Sequence, residues 1–303
     1  MKIAFDAQLF LKGNKTGIAW CADNIIKELA KVPEYDCQCD FFSLGRTKEQ
    51  IENVKVYEKL GVKLNPCKWF HSFAYRMLWS VIPVPYWWFF GKDRDVTVFF
   101  NFIVPPGVKG KTIVIVHDMA YKAFPETVHF KTRKRLEQTL KGSCDRADLI
   151  VTVSEFSKSE IIKYLNIPEE KIVVMPNGVD LNIYHPNYDL NLVEECKQKY
   201  GIRKDYFLFL GTLEPRKNLV RLIEAYNLLK TESKEDIPQL VLAGGKGWYY
   251  ESIFETVKKL HLEQDVIFTG YVPEEDSPLL MNGAVAFVFP SLYEGFGMPP
   301  LET

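Results

Sequence analysis

The sequence predicts an α/β protein built from two doubly wound parallel sheets, one in each half of the chain. Three observations predict this. Short, continuously apolar runs recur along the whole chain, the kind that are buried on both faces of a parallel sheet. Longer segments with apolar residues at helical spacing separate them. The rhythm breaks once, in PNGVDLNIYHPNYD (176–189), a turn-rich, non-periodic stretch that reads as a linker. At 303 residues the length suits about two domains of ~150 each, and the expected domains are 1–180 and 181–303.

The elements justify this in order. KIAFDAQL (2–9) is strand-like. GIAWCADNIIKELAKV (17–32) places Ile18, Cys21, Ala22, Ile25, Ile26 and Leu29 on one helical face. CDFFSL, VTVFFNF, TIVIVHD and LIVTVS read as buried strands, and a long charged helix over about 129–147 lies between the last two. Ser154 is a natural N-cap for a helix through EFSKSEIIKYL. KIVVMPN closes the first half. In the second half YFLFLG, QLVLAGG, VIFTG and VAFVFPS are strands, and LVRLIEAYNLL is an amphipathic helix with apolar residues at 219, 222, 223, 226 and 229. Alternating βα units of this kind imply a parallel sheet.

Composition excludes several function classes. Lys and Arg total 38 against 39 Asp and Glu, a net charge of −1, so no global field recruits nucleic acid or an acidic membrane. Six cysteines lack CxxC or zinc-like spacing and point to a reduced, cytosolic protein. The amino terminus reads as a first strand, not a signal peptide. No apolar run reaches the ~18–20 residues of a membrane span.

In doubly wound sheets ligands bind beyond the carboxyl ends of strands, and four such places carry chemistry. In LKGNKTGIAW (11–20), Gly13 and Gly17 open a helix whose free N–H groups suit a phosphate. An ordinary strand–turn–helix loop accounts for the same residues. His117 and Asp118 end the strand VIVHD, either as a satisfied histidine or as a polar pair aimed at a ligand. Arg216 and Lys217 in LGTLEPRKNL (210–219) oppose the dipole of the helix they precede unless an anion sits between them, and a diphosphate fits two such donors. In FPSLYEGFGMPPLE (289–302), Pro299 and Pro300 suit the first turn of a helix. The loop before them is flanked by Glu294 and Glu302, two acceptors suited to a polyhydroxylated ligand.

These strings, with ADLIVTVSEFSKSEI (147–161), VVMPNGVD (173–180), LVLAGGKGW (240–248) and FTGYVPEEDSPLLMNGA (268–284), resemble retaining glycosyltransferases of family 4 from about residue 112 to the end. Gly13, Thr16 and Gly17 fit the family's amino-terminal loop. The resemblance implies GT-B architecture, two facing Rossmann-like domains. The first, 1–180, takes the acceptor side and the second, 181–303, the nucleotide sugar. HDM and GTLEPRKN look most like bacterial mannosyltransferases that use GDP-mannose in polysaccharide biosynthesis.

The resemblance also implies residue roles. Glu294 and Glu302 match an E-x7-E motif, the first facing the transferred sugar and the second bonding the ribose. Arg216 and Lys217 match the pair that holds the diphosphate, and Gly17 backs the same phosphates. The amides of Phe296, Gly297 and Met298 approach sugar and phosphate. His117 matches a histidine near the anomeric centre, and Asp118 either orients it or meets the acceptor. Thr212 stands where some members carry an arginine, which shifts work to Arg216. No DxD-like string ends a strand, so no metal is expected, and no nucleic acid partner.

The acceptor implied is a glycan or a lipid-linked saccharide, used in the cytoplasm with peripheral contact at the inner face of the cell membrane. The aromatic stretch 69–94 with Arg76, Lys92 and Arg94 suits that contact. Alternatively Tyr75, Leu78, Trp79 and Ile82 form the buried stripe of an ordinary helix. The family's second domain needs further strands, so this one is expected to be incomplete. A catalytically inactive nucleotide-sugar-binding partner or fragment, or an epimerase of the same architecture, would share these residues.

Overall fold

The structure, a computed structural model, describes residues 1–13, 15, 17–79 and 82–303. Thr16, assigned above to the amino-terminal loop, and Ser80 and Val81 of the aromatic stretch lie outside the described residues. The chain divides into two compact units, residues 1–119 with 134–177, and residues 120–133 with 178–303.

The first unit is built on seven strands: β1 Lys2–Asp6, β2 Asp36–Phe42, β3 Lys63–Cys67, β4 Val96–Phe99, β5 Lys111–Ile115, β6 Leu149–Thr152 and β7 Ile172–Val174. Their order is β3-β2-β1-β4-β5-β6-β7 and every pairing is parallel. This is a doubly wound order, reversing direction between β1 and β4. The helix Gly17–Ala30 buries Ala19, Ala22 and Ile26, and its apolar face packs with Phe5, Cys39, Phe41, Tyr57 and Phe100 in one core.

The helix Glu155–Leu165 begins at Ser154 as expected, with its hydroxyl accepting from the Ser157 amide at 3.0 Å. β3 escaped the sequence reading. Its run KLNPC is neither continuously apolar nor cleanly alternating, and Pro66 weakens it further; it sits at the edge of the sheet, where proline is tolerated. The expected strand VAFVFPS is the opposite case, because only Ala286–Phe287 pairs as a strand.

The second unit carries β8 Tyr206–Leu210, β9 Gln239–Ala243, β10 Val266–Gly270 and β11 Ala286–Phe287 in the parallel order β10-β9-β8-β11. Alternate side chains of β8 and β9 enter two different cores. Phe209, Leu240 and Leu242 pack with Leu219, Ile223 and Ile253 on one face, and Tyr206, Leu208 and Val241 with Ile202, Leu280 and Met281 on the other. Burial on both faces is why these strands read as unbroken apolar runs.

The excursion 120–133 belongs to this unit through particular contacts. The Trp248 indole donates to the Thr127 carbonyl at 2.7 Å, and the rings of Phe124 and Tyr293 lie 5.7 Å apart.

Candidate functional site

In the second unit β9 and β10 lie on one side of β8 and β11 on the other, so the loops after β8 and β11 leave the sheet at its switch point. The loop after β8 is held down by its own backbone. The Gly211 amide bonds Ala243 O at 2.9 Å, the Leu213 amide bonds Gly245 O at 2.9 Å, and the Gly247 amide returns to Leu213 O at 3.0 Å. The two strand ends approach so closely that a Cβ on Gly244, at φ +142°, would stand 1.9 Å from the Gly211 oxygen. That is the physical reason for the glycine in LAGG.

The chain then makes a tight 3-10 turn at Pro215–Lys217, reverses through Asn218 at φ 59°, and enters the helix Leu219–Glu232. Two hydrogen bonds staple this turn to the loop after β11: Leu292 N to Arg216 O at 2.9 Å and Asn218 Nδ2 to Pro290 O at 3.2 Å.

The staples bring four charges together. Arg216 donates through Nε and Nη2 to Glu214 Oε1 at 3.1 and 2.8 Å, and through Nη1 to Glu294 Oε2 at 2.7 Å and Tyr293 O at 2.8 Å. Lys217 Nζ lies 2.5 Å from Glu294 Oε1. Burial pushes the Glu294 carboxyl up, but Lys217 and Arg216 more than reverse this and hold it below the usual range. Glu214 is 2% exposed, and burial raises it against the same two cations. The opposite directions follow from position, since the deeper carboxylate loses more water.

Sequence reasoning had picked Arg216, Lys217 and Glu294 but missed Glu214. The available signal was a lone acid two residues before an arginine in a strand-end loop.

Phe296, Gly297 and Met298 continue the same loop. Gly297 takes φ +100°, a conformation that side chains rarely adopt, just before the short helix Met298–Glu302 with proline in its first turn. Glu302 belongs to a different electrostatic setting. Burial, with Glu274 adding like charge, pushes its carboxyl up to about 7.

The first unit holds the other expected residues. Gly17 is the first residue of its helix, and a Cβ there would meet nothing within 4 Å. His117 follows β5 and lies 2.9 Å through Nε2 from Phe100 O, beyond the end of β4. A carbonyl only accepts, so Nε2 carries the proton. Burial lowers the His117 pKa, only partly offset by Phe100 and Asp118, which keeps the ring neutral near pH 7. Phe102, at φ 62°, sets its ring 5.8 Å from the imidazole. Asp118 is partly exposed. Among the described residues no group of three or more His, Cys, Asp or Glu could hold a metal ion.

The buried stripe considered for the aromatic stretch does not form as a stripe. In the helix Ser72–Trp79, Tyr75 is 3% exposed, but Leu78 is 40% and Ile82 beyond it 58% exposed.

Comparison with known proteins follows this division. A family model described as Glycosyltransferase Family 4 matches residues 16–183, and one described as Glycosyl transferases group 1 matches residues 193–303. The O-antigen chain mannosyltransferase B of Escherichia coli is 39% identical over 204 residues, 67% of this chain and 52% of that protein. The O-antigen chain mannosyltransferase RfbU of Salmonella typhimurium is 28% identical over 281 residues, 91% of this chain and 71% of that protein. The chain thus spans about half the length of the first and less of others, 24% of a serotype-specific mannosyltransferase WbdA of Escherichia coli.

Among solved structures, HepE of Anabaena in complex with UDP and glucose aligns with a TM-score of 0.67 at 19% identity, covering 100% of this chain and 77% of that one. WaaG, a glycosyltransferase involved in lipopolysaccharide biosynthesis, aligns at 0.65 and 16% identity, covering 99% and 78%. At such identities the likeness speaks for the fold, an α/β fold of the GT-B class.

Proposed function

The chain belongs to glycosyltransferase family 4, and from that premise we propose that it transfers a hexose from a nucleotide-sugar donor to a glycan or lipid-linked acceptor with retention of configuration. The observation that carries the reading is the meeting of Arg216, Lys217 and Glu294 at the switch point of the second sheet. Breaking the bond between sugar and diphosphate leaves negative charge on the departing nucleotide. Arg216 and Lys217 stabilise it, each such donor contributing ~3 kcal/mol to the transition state. No divalent ion enters this reading.

Glu294 faces the sugar's hydroxyls, Glu302 accepts from the ribose, and the amides of Phe296, Gly297 and Met298 approach sugar and phosphate. The one ring proton of a neutral His117 is engaged by Phe100 O through Nε2 and Nδ1 carries none, so the residue is no general acid and serves position, with Asp118 beside it. The acceptor attacks the face the diphosphate leaves, and the leaving phosphate takes its proton.

Mannose is the sugar proposed, from GDP-mannose, because mannosyltransferases recur among the relatives. The test is transfer of labelled sugar from GDP-mannose, UDP-glucose and ADP-glucose to mannose-terminated oligosaccharide acceptors. Mannosyl product with the anomeric configuration of the donor is expected. Tight donor binding with no product on any acceptor would overturn catalysis, and conversion of the donor without acceptor would mark an epimerase.

A peripheral membrane contact belongs to the same reading. The outward arc of the helix Ser72–Trp79 presents Phe73 (61% exposed), Met77 (58%) and Leu78 (40%) beside Arg76, and Trp69 and Trp88 are exposed nearby in sequence. Residues 68–92 contain Lys68, Arg76 and Lys92 and no acid. Apolar rings with cations suit an anionic lipid surface. Flotation with phosphatidylglycerol vesicles, lost in Phe73→Ser/Met77→Ser, tests it; equal flotation of both proteins removes it.

A further inference from the structure

The four-charge cluster is internally neutral. Two cations, Arg216 and Lys217, face two carboxylates, Glu214 and Glu294, and both amino groups of the guanidinium are engaged. A diphosphate arriving here meets cations that are already paired. The two carboxylates are not equivalent. The Glu214 side chain is 3% exposed and Glu294 18% exposed. Glu214 lies on a segment pinned to the loop after β9 by the Leu213 and Gly247 amides. Glu294 lies between Tyr293 and Gly295 and bonds both cations at once, one through each oxygen, as a bridging phosphate would.

We propose that Glu214 is a permanent positioning residue for Arg216, whereas Glu294 occupies the anion site until the donor's diphosphate displaces it onto the sugar. This rests on the nucleotide-sugar reading and deepens it. The exchange makes one residue answer for two events: release of the cations, and arrival of a carboxylate at the hydroxyls of the sugar whose diphosphate displaced it. A nucleoside diphosphate without sugar displaces Glu294 but gives the freed carboxylate no partner. The intact donor therefore gains from Glu294 what its product does not, which favours donor loading over product retention. Until displacement, apparent affinity is reduced by the fraction of molecules in which the cations are free.

The experiment measures binding of GDP, UDP and inorganic pyrophosphate to the whole chain by titration calorimetry, in wild type, Glu294→Gln, Glu214→Gln and Glu214→Asp. Glu294→Gln removes the competing charge, so its diphosphate affinity should rise by about tenfold while sugar transfer falls. Glu214→Gln should weaken diphosphate binding, with partial recovery in Glu214→Asp, because the guanidinium loses its orienting partner. A residue that only supported the fold would change melting temperature without this opposite pair of shifts.

Unchanged or weaker diphosphate binding by Glu294→Gln overturns the exchange. If Glu294→Gln fails to fold, Glu294→Asp, which withdraws the charge by one methylene, must shift affinity in the same direction or the exchange is wrong. Wild-type protein that binds none of the three probes overturns the donor reading itself and the exchange with it, an outcome distinct from either variant result.

Discussion

Each unit carries a cluster made from the same ingredients, carboxylate and guanidinium, and the two clusters are built differently. In the first unit Arg94 Nη1 bonds Asp40 Oδ2, with side-chain exposures of 1% and 0%, and Nη2 bonds Phe90 O. The other oxygen of Asp40 accepts from Asn65 at 2.8 Å and Gln38 at 3.0 Å, and Tyr86 adds a bond to Oδ2 at 3.1 Å. Every lone pair is spoken for by a neutral group or by one cation, and water has no entry. In the second unit Arg216, Glu294 and Lys217 remain 12 to 18% exposed, and one carboxylate serves two cations. A sealed pair whose carboxylate is fully bonded has nothing to offer a ligand. A partly open cluster with a shared partner can exchange that partner for another anion at modest cost.

The contrast breaks most sharply at Asp40. Asp40→Ala leaves Arg94 buried and uncompensated and should cost 3–5 kcal/mol, about the usual loss for half of a buried ion pair, read as a lower urea midpoint. A loss below about 1 kcal/mol would mean the two clusters are alike.

Lys217→Ala and Glu294→Ala should both show the reverse of the Asp40→Ala pattern. Each should lower sugar transfer ~10²-fold or more, some 2.7 kcal/mol in the barrier, while stability changes by less than about 1 kcal/mol. Normal turnover by Lys217→Ala would remove its phosphate role.

Glu302 supplies a pH test. Its carboxyl is raised to about 7 in the folded state from an ordinary 4.5. The folded protein therefore holds a proton that the unfolded chain has lost between those values, and this group's contribution makes stability fall as pH rises from about 4.5 to 7. Glu302→Gln should then stabilise at pH 8 by on the order of 2 kcal/mol, after allowing for partial exposure, and not at pH 4. Equal melting-temperature differences at both pH values would contradict the shift.

The smallest effect sharpens the comparison with an intermediate case. Asp23 is fully buried, but its cations Lys15 and Lys27 are 26% and 45% exposed, and Tyr57 also bonds it, at 2.5 Å. Lys27→Ala should cost less than about 1 kcal/mol by thermal melting, because two partners remain.

The strands buried on both faces were legible, because Tyr206–Leu210 and Gln239–Ala243 cannot avoid reading as apolar runs. β11 was over-read, since apolar residues announce burial but not how many backbone groups find a partner. The cations of the site were legible because Arg216 and Lys217 oppose the dipole of the following helix. Glu214 was not, because a buried acid and a surface acid look the same until the cations around them are placed. The pairing of one carboxylate with both cations is likewise a fact of two loops distant in sequence.

The passage of residues 120–133 into the second unit was also invisible, since nothing in their composition separates them from what precedes. It has a practical consequence. The units are joined by three passages of the chain, after Met119, after Arg133 and after Asn177. Exchanging carboxyl-terminal halves between relatives at the linker would thus seat a foreign Trp248 and Tyr293 against the resident Thr127 and Phe124. Recombination that respects the architecture must carry the small earlier segment along with the later half.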